Sequence, residues 1–222
     1  MSDGKFPRRY PTEFIETWHL RDGSHLVLRP VLPQDETLIA EMVRRLSPAA
    51  RGYRFHGGLQ ELSQAQCKEM SCVDFESHVA VVVTFRNQSE EIVVAEARYA
   101  VDGDADDRSA EFALVVEDRW QRRGLGLLIM NALILNARSS GLQWLYGDVL
   151  VRNEPMLNLM RRCGFCCSPD HEDPCLVRAE LSLSNAGTRK RPNGGFPSFW
   201  GRWWQLFRMS KFGVGIAQGS GK

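Results

Sequence analysis

The chain has 222 residues, and 28 Lys and Arg nearly balance 27 Asp and Glu for a formal net charge of +1. With 43% hydrophobic and 25% charged residues, it reads as one globular domain plus an extension, which excludes a disordered acidic chain and a uniformly basic nucleic-acid binder. The balance is a cancellation: residues 1–182 hold 21 basic and all 27 acidic residues, whereas residues 183–222 hold 7 basic residues, no acidic ones and three of the six Trp.

A domain boundary near residue 182 follows from that split. Residues 1–10 contain no apolar core of a secretory signal, so the cytoplasm is the expected compartment. Residues 14–20 and 24–29 flank Asp22-Gly23 and predict a β-hairpin. Asp35 then precedes Leu38, Ile39, Met42, Val43 and Leu46, one face of a helix with Asp35 as its N-cap and Pro48 as its stop. Residues 47–58, with their Gly, Arg and aromatic side chains, predict a loop. Ser63 and Gln66 form a capping-box pattern for a short helix ending about Met70. Strands are predicted at 78–85, 92–101 and 110–116, with a polar turn at 102–107, so an antiparallel meander is expected.

Residues 124–138 are nearly all apolar and predict a helix buried on much of its circumference, ended by Gly141. The apolar run 125–135 is too short to span a bilayer. A strand follows at 144–151. A helix at 154–163 has Pro155 in its first turn and Gly164 at its exit, and strands at 165–167 and 176–181 close the domain. Cys163, Cys166, Cys167, His171 and Cys175 invite a zinc reading, but no second Cys-x-x-Cys pair completes it. Reduced thiols packed in a strand-rich segment are the expectation, and no metal is assigned.

Gln121-Arg122-Arg123-Gly124-Leu125-Gly126 lies between a strand and the long apolar helix. Successive backbone N–H groups there can form a concave anion nest, helped by the helix dipole and two arginines. Ile129 stands where a dinucleotide fingerprint needs its third glycine, and the Gly-Lys-Ser/Thr of a Walker loop is missing. A capped helix with a flexible entry is the plainer alternative.

The context of this loop resembles the GCN5-related N-acetyltransferase (GNAT) family. Gln121-x-x-Gly124-x-Gly126 matches the family signature Arg/Gln-x-x-Gly-x-Gly/Ala, which follows the fourth strand. Ser109-Ala110-Glu111-Phe112-Ala113-Leu114-Val115-Val116 looks like that strand. Asn153-x-x-Met156-x-x-Leu159 followed by Gly164-Phe165 looks like the family's Asn-led helix and its exit. Leu28-Arg29-Pro30, Arg45-Leu46-Ser47-Pro48, Arg51-x-x-Arg54-Phe55 and Ala110-Glu111-Phe112-Ala113 are closest to the acetyltransferase domain of bacterial protein-lysine acetyltransferases. The resemblance covers about residues 14–183. It implies an α/β (α+β) GNAT fold: a mixed, mostly antiparallel central sheet flanked by helices and splayed between the family's strands 4 and 5.

The resemblance also implies acetyl-CoA as co-substrate, its diphosphate held by Gln121, Arg122, Arg123, Gly124, Leu125, Gly126 and Leu127. Backbone groups of Val115 and Val116 would meet the pantetheine arm and the thioester, and Asn153 and Met156 would reach it from the next helix. The implied acceptor is an amine, with a protein lysine as the finer expectation, and Glu111 matches the family's general base. Independently, Glu111 stands in an apolar strand on the face of Ala113 and Val115, where partial burial would make it a stronger base. A solvent-facing or Arg-paired Glu is the plainer alternative, and Glu96 and Asp148 are the next candidates. Many members place a Tyr acid where this chain has Met160, so no acid is assigned there; Tyr146 and Tyr53 are weak substitutes. Tyr53, Arg54, Phe55 and His56 lie in the loop expected to contact the acceptor; for Arg51 and Arg54, anchoring of that loop by salt bridges is favoured over substrate contact, and His56 reads as structural rather than catalytic.

In the tail, Phe199, Trp200, Trp203, Trp204, Leu206 and Phe207 recur roughly at helical spacing among Arg202, Arg208 and Lys211. This predicts a membrane-surface or protein-binding helix, with docking on the chain's own sheet and disorder as alternatives. Competing with the enzyme reading are a non-enzymatic acyl-CoA-binding module and, through the tail alone, nucleic-acid binding, which is not expected.

Overall fold

The computed structural model describes residues 10–55, 59–87, 90–102 and 108–184. His56, most of the turn at 102–107 and the tail beyond Ser184 therefore lie outside the described residues. No helix among the described residues is long and apolar enough to cross a membrane.

A short 3-10 turn at Thr12–Phe14 leads into β1 (Glu16–His19), which pairs antiparallel with β2 (His25–Pro30). The predicted hairpin is present, but its connection is longer than Asp22-Gly23. His19 pairs with His25, and Gly23 adopts a φ of 84° while Leu20 N–H donates to the Ser24 carbonyl. Helix α1 (Glu36–Arg45) carries Ile39, Met42 and Val43 on its buried side. Asp35 sits at its N-cap position without capping it. Its carboxylate instead takes two Arg29 guanidinium bonds, at 2.6 and 2.8 Å, and the Leu32 N–H. A bidentate charged partner outcompetes a helix N–H.

The predicted loop after α1 is instead a helix, α2 (Pro48–Phe55). Pro48 opens this helix rather than only stopping the last one, because a first-turn residue needs no N–H partner. Ser47 Oγ accepts from Ala50 N–H at 3.1 Å and supplies the cap. Helix α3 (Gln64–Ser71) starts with both bonds of the predicted capping box.

β3 (His78–Asn87), β4 (Glu90–Val101) and β5 (Ser109–Val116) form the expected meander. Then come α4 (Leu125–Ser139), β6 (Trp144–Leu150), α5 (Glu154–Arg162), β7 (Cys166–Pro169) and β8 (Leu176–Ser182). The sheet order is β1-β2-β3-β4-β5-β6-β8-β7, and β5–β6 is its parallel pair. Because Ser109–Val116 is the strand that resembles the family's fourth, β5 and β6 correspond to the family's strands 4 and 5.

Directly opposed residues share a face of the sheet. One face carries Val81, Val83, Ala95, Ala97, Tyr99, Phe112 and Leu114 into a core with Ile129, Met130 and Leu133 of α4 and Met160 of α5. α4 is buried on this side only; Leu128 and Leu135 are exposed. The opposite face, with Val82, Glu96, Arg98, Val115 and Glu111, is covered by the layer of α1, α2 and α3. The six cysteines are all free thiols.

Candidate active site

β5 and β6 pair only from Ser109↔Trp144 to Glu111↔Tyr146, and then part. Asp102 N–H donates to Ser109 and Glu117 N–H to Val94, which phases the alternation of β5. Backbone groups of Ser109, Glu111, Ala113 and Val115 thus face β4, while those of Phe112, Leu114 and Val116 face the open edge. Of the two valines expected to offer backbone groups, Val116 lies on that edge and Val115 is engaged with β4 opposite Glu96. At the start of the opening, Gly147 lets the Phe112 ring sit against β6, with Phe165 behind it at 5.2 Å.

A short 3-10 turn, Asp118–Trp120, leads to the predicted nest. The corner between α1 and α2 holds this turn in place. Arg45 Nε donates to Glu117 at 2.9 Å and its Nη2 to the Val93 carbonyl at 2.7 Å, beside the bulge where the β3–β4 register shifts. Ser47 binds Asp118 through both N–H and Oγ. Gln121 Nε2 ties back to the Val116 carbonyl at 3.0 Å. Trp120 packs against the Phe85 ring and the Arg123 guanidinium, and Arg123 also pairs with Asp22 of the hairpin.

Arg122 and Gly124 have φ of 59° and 91°, so the chain coils with its amides turned inward on the nest. Among the described residues, the N–H groups of Arg122, Arg123, Gly124, Leu125 and Gly126 have no hydrogen-bond partner, while Leu127 N–H already bonds the Gly124 carbonyl at 3.1 Å. Open donors at the positive end of a 15-residue helix suit an anionic ligand. A Cβ on Gly126 would lie 3.0 Å from Leu159 Cδ2, so this glycine admits α5 close to α4.

Asn153 caps α5, its Oδ1 accepting from Met156 N–H at 3.3 Å. Met156 is half-buried against the core. Tyr53 reaches the same loop from α2, donating its hydroxyl to the Arg152 carbonyl at 3.3 Å.

Glu111 is 3% exposed and stands on the last paired rung before β5 and β6 part. Arg54 makes the salt bridge expected of an anchoring residue, but from a helix rather than a loop: α2 turns it inward, away from contact with an acceptor. Its side chain is 2% exposed and donates Nη2 to Glu96 Oε2 at 3.1 Å. Phe55 is buried beneath the Arg54 guanidinium, whereas Arg51 bonds the Leu46 carbonyl at 2.7 Å and holds the end of α1. Burial pulls the Arg54 guanidinium down from its ordinary value, against the opposing pull of Glu96 and Glu111.

Glu96 is fully buried between Arg54 and Arg98. Burial works to raise its carboxyl, but Arg98 and then Arg54 outweigh it and hold it below the ordinary value. A carboxylate so engaged is a poor proton acceptor, which disfavours Glu96 as the base. Asp148 is pushed up by burial despite its Arg178 partner at 2.7 Å. Tyr146 is buried and donates to Asp102 at 2.9 Å. Met160, at the position where many family members carry Tyr, is fully buried in the core.

Arg98, the partner of Glu96 in this buried charge group, is a residue that sequence reasoning missed. Its signal was present: Glu96 and Arg98 stand two apart in an otherwise apolar strand, which places both charges on one face where they must find partners.

Residues 39–165 match the Acetyltransferase (GNAT) family. Acetyltransferase PA5475 of Pseudomonas aeruginosa is 30% identical over 164 residues, 74% of this chain and 87% of that protein. Acetyltransferase Pat of Mycolicibacterium smegmatis is 33% identical over 146 residues, 65% of this chain but only 42% of that longer protein. The crystal structure of the GNAT domain of S. lividans PAT superposes with a TM-score of 0.71 at 23% identity, covering 78% of this chain and 99% of that one. The chain belongs to the acetyltransferase (GNAT) family.

Proposed function

We propose that this acetyl-CoA-dependent N-acetyltransferase transfers the acetyl group to a protein lysine by direct attack, with Glu111 as the general base. One observation carries the reading. The row of open N–H groups from Arg122 to Gly126 leads along the open edge of β5 to a buried carboxylate at the vertex of the split. The motifs that resemble protein-lysine acetyltransferases, together with the likeness to acetyltransferase Pat, support the protein-lysine class.

The residues present fit acetyl-CoA. The open amides, with Arg122 and Arg123 beside them, would hold its diphosphate. The backbone edge of Phe112, Leu114 and Val116, with the Asn153 amide, would hold its arm. When bound, acetyl-CoA supplies an activated acyl group on a thioester. Glu111 would accept the proton that a lysine ammonium must lose before its nitrogen can attack. Tyr53, tied to the loop before Asn153, is the residue of the expected acceptor set best placed to line the amine's approach.

Incubation with acetyl-CoA and a panel of amines, lysine peptides and proteins, read by thiol release and mass spectrometry, tests this. Acetylated lysine and free CoA are expected, with turnover lost in Glu111→Gln at unchanged acetyl-CoA affinity. Acetyl-CoA that binds but is never consumed would point to a binding module; no affinity for CoA would remove the reading of the nest.

A further inference from the structure

The face of the sheet that carries Glu111 holds more buried charge than one proton acceptor requires. Across β3, β4 and β5 run three rows: Val82, Glu96 and Val115; Ala80, Arg98 and Ala113; His78, Ala100 and Glu111. Arg54 descends on this surface from α2, bonded to one oxygen of Glu96 and within the electrostatic reach of Glu111. Arg98 takes the other oxygen of Glu96, and its Nη2 donates to the Met70 carbonyl of α3 at 2.9 Å. Burying such a group is costly, and apolar side chains of similar volume would serve packing as well or better.

Counted as a set of four, Arg54, Arg98, Glu96 and Glu111 are neutral when Glu111 is ionised and carry one positive charge when Glu111 takes a proton. We propose that Arg54 is a positioning residue for Glu111: it seats α2 on the Glu96–Arg98 pair and sets the charge balance around the carboxylate at the vertex of the split. The inference rests on the reading of Glu111 as the base.

The sign of each perturbation follows from Coulomb's law. Without the Arg54 charge the group is negative when Glu111 is ionised, so Glu111 keeps its proton to higher pH. Without the Glu96 charge it is positive, and Glu111 gives up its proton at lower pH. Among the described residues, the charged and titratable groups on this side include Arg54 from α2, Glu96 and Arg98 from β4, and His78 from β3, which itself feels Glu69 of α3 and Asp74 of the loop after it. From β6 come Tyr146, bonded to Asp102 and opposite Glu180 of β8, and Asp148, paired with Arg178 of β8. All but the substituted ones are common to every variant.

The test is the pH dependence of kcat for the full chain, at saturating acetyl-CoA and one fixed amine, in Arg54→Gln, Glu96→Gln and the double variant. The acidic limb is expected to move up by about one pH unit or more in Arg54→Gln and down in Glu96→Gln, the low end for a nearby charge. In the charge-balanced double variant it should return to within about half a unit of the unaltered chain. Arg54→Lys, which keeps the charge, should leave the limb within the same margin. A purely structural role lowers kcat at every pH and leaves the limb in place, which would overturn the proposal.

If Arg54→Gln does not fold, Glu96→Gln and the double variant decide, and a Glu96→Gln limb that stays put or rises overturns it. Glu111→Gln separates the two readings. Retained turnover there removes the base and this inference together. Lost turnover there, with unmoved limbs in the Arg54 and Glu96 variants, removes the inference alone.

Discussion

Gly147→Ala tests the contact at which β5 and β6 begin to part. A Cβ at this position would stand 2.9 and 3.0 Å from Cε1 and Cζ of Phe112 and 3.1 Å from its carbonyl oxygen. Carbon contacts are favourable near about 3.5–4.0 Å, so the ring contacts are compressed by roughly half an ångström or more. The ring is backed by Phe165, and the oxygen belongs to a strand held along its other edge by β4. Overpacking of this kind costs about 1–3 kcal/mol, while replacing a strand glycine recovers roughly 0.5–1 kcal/mol. The expected net loss is about 1–2 kcal/mol, a fall in Tm of roughly 2–8 °C for a domain of this size. Phe112→Leu removes the ring contact but keeps the oxygen contact, so the double variant should recover part of the loss, with a coupling of about 0.5 kcal/mol or more. Urea unfolding of the four chains measures the cycle, and calorimetric titration with CoA shows whether the open edge is disturbed. A Gly147→Ala chain as stable as the unaltered one, or effects that simply add, would refute the reasoning.

Gly124→Ala meets no atom within 4 Å, yet its φ of 91° is left-handed, so the cost is conformational, about 1–2 kcal/mol. Thermal unfolding should show that loss, and titration should show weaker CoA binding as the amide row reorients. Met160→Tyr places a larger ring and a hydroxyl at a fully buried site; denaturant unfolding should show a loss of about 1–3 kcal/mol, with no gain in kcat. Burial works to raise both Glu96 and Asp74, but Arg98 and Arg54 hold the first low, and the Ser77 hydroxyl and backbone N–H groups hold the second low. Both therefore contribute stability above the ordinary carboxylate range that is lost as pH falls through their lowered values, and Tm measured against pH should drop on that side. Asp148 is raised by burial, so its contribution has the opposite sign and fades as pH rises. The stability of Asp148→Asn relative to the unaltered chain should therefore increase with pH through that window.

Much of the fold was legible because its punctuation is local. Ser63 and Gln66 make both bonds of their capping box, Pro155 stands in the first turn of α5, and Gly164 ends that helix with a φ of 88°. The turn into α4 was legible for the same reason, since Gly124 supplies its left-handed φ and Gly126 the space that α5 needs. α2 was not, because Pro48 carries two meanings: it stops a preceding helix and equally opens a new one. Ser47 before it was the deciding signal. Strand phase was also hidden. Whether Val115 or Val116 offers its backbone to the open edge depends on pairing with β4, which no pattern within β5 reveals.

The error at α2 reaches the chemistry. In a loop, Arg54 is a surface anchor or an acceptor contact; in a helix its salt bridge is buried against Glu96. Sequence placed Glu111 among apolar neighbours because Ala113, Val115 and Phe112 are its neighbours along the chain. In space its surroundings include Arg54 and the Glu96–Arg98 pair on the same face. The two environments act on a base differently. An apolar pocket acts by desolvation, which has one sign whichever neighbour is removed. A charge group answers each neighbour with that neighbour's sign. Only the second environment predicts that Arg54→Gln and Glu96→Gln move the acidic limb in opposite directions and cancel when combined.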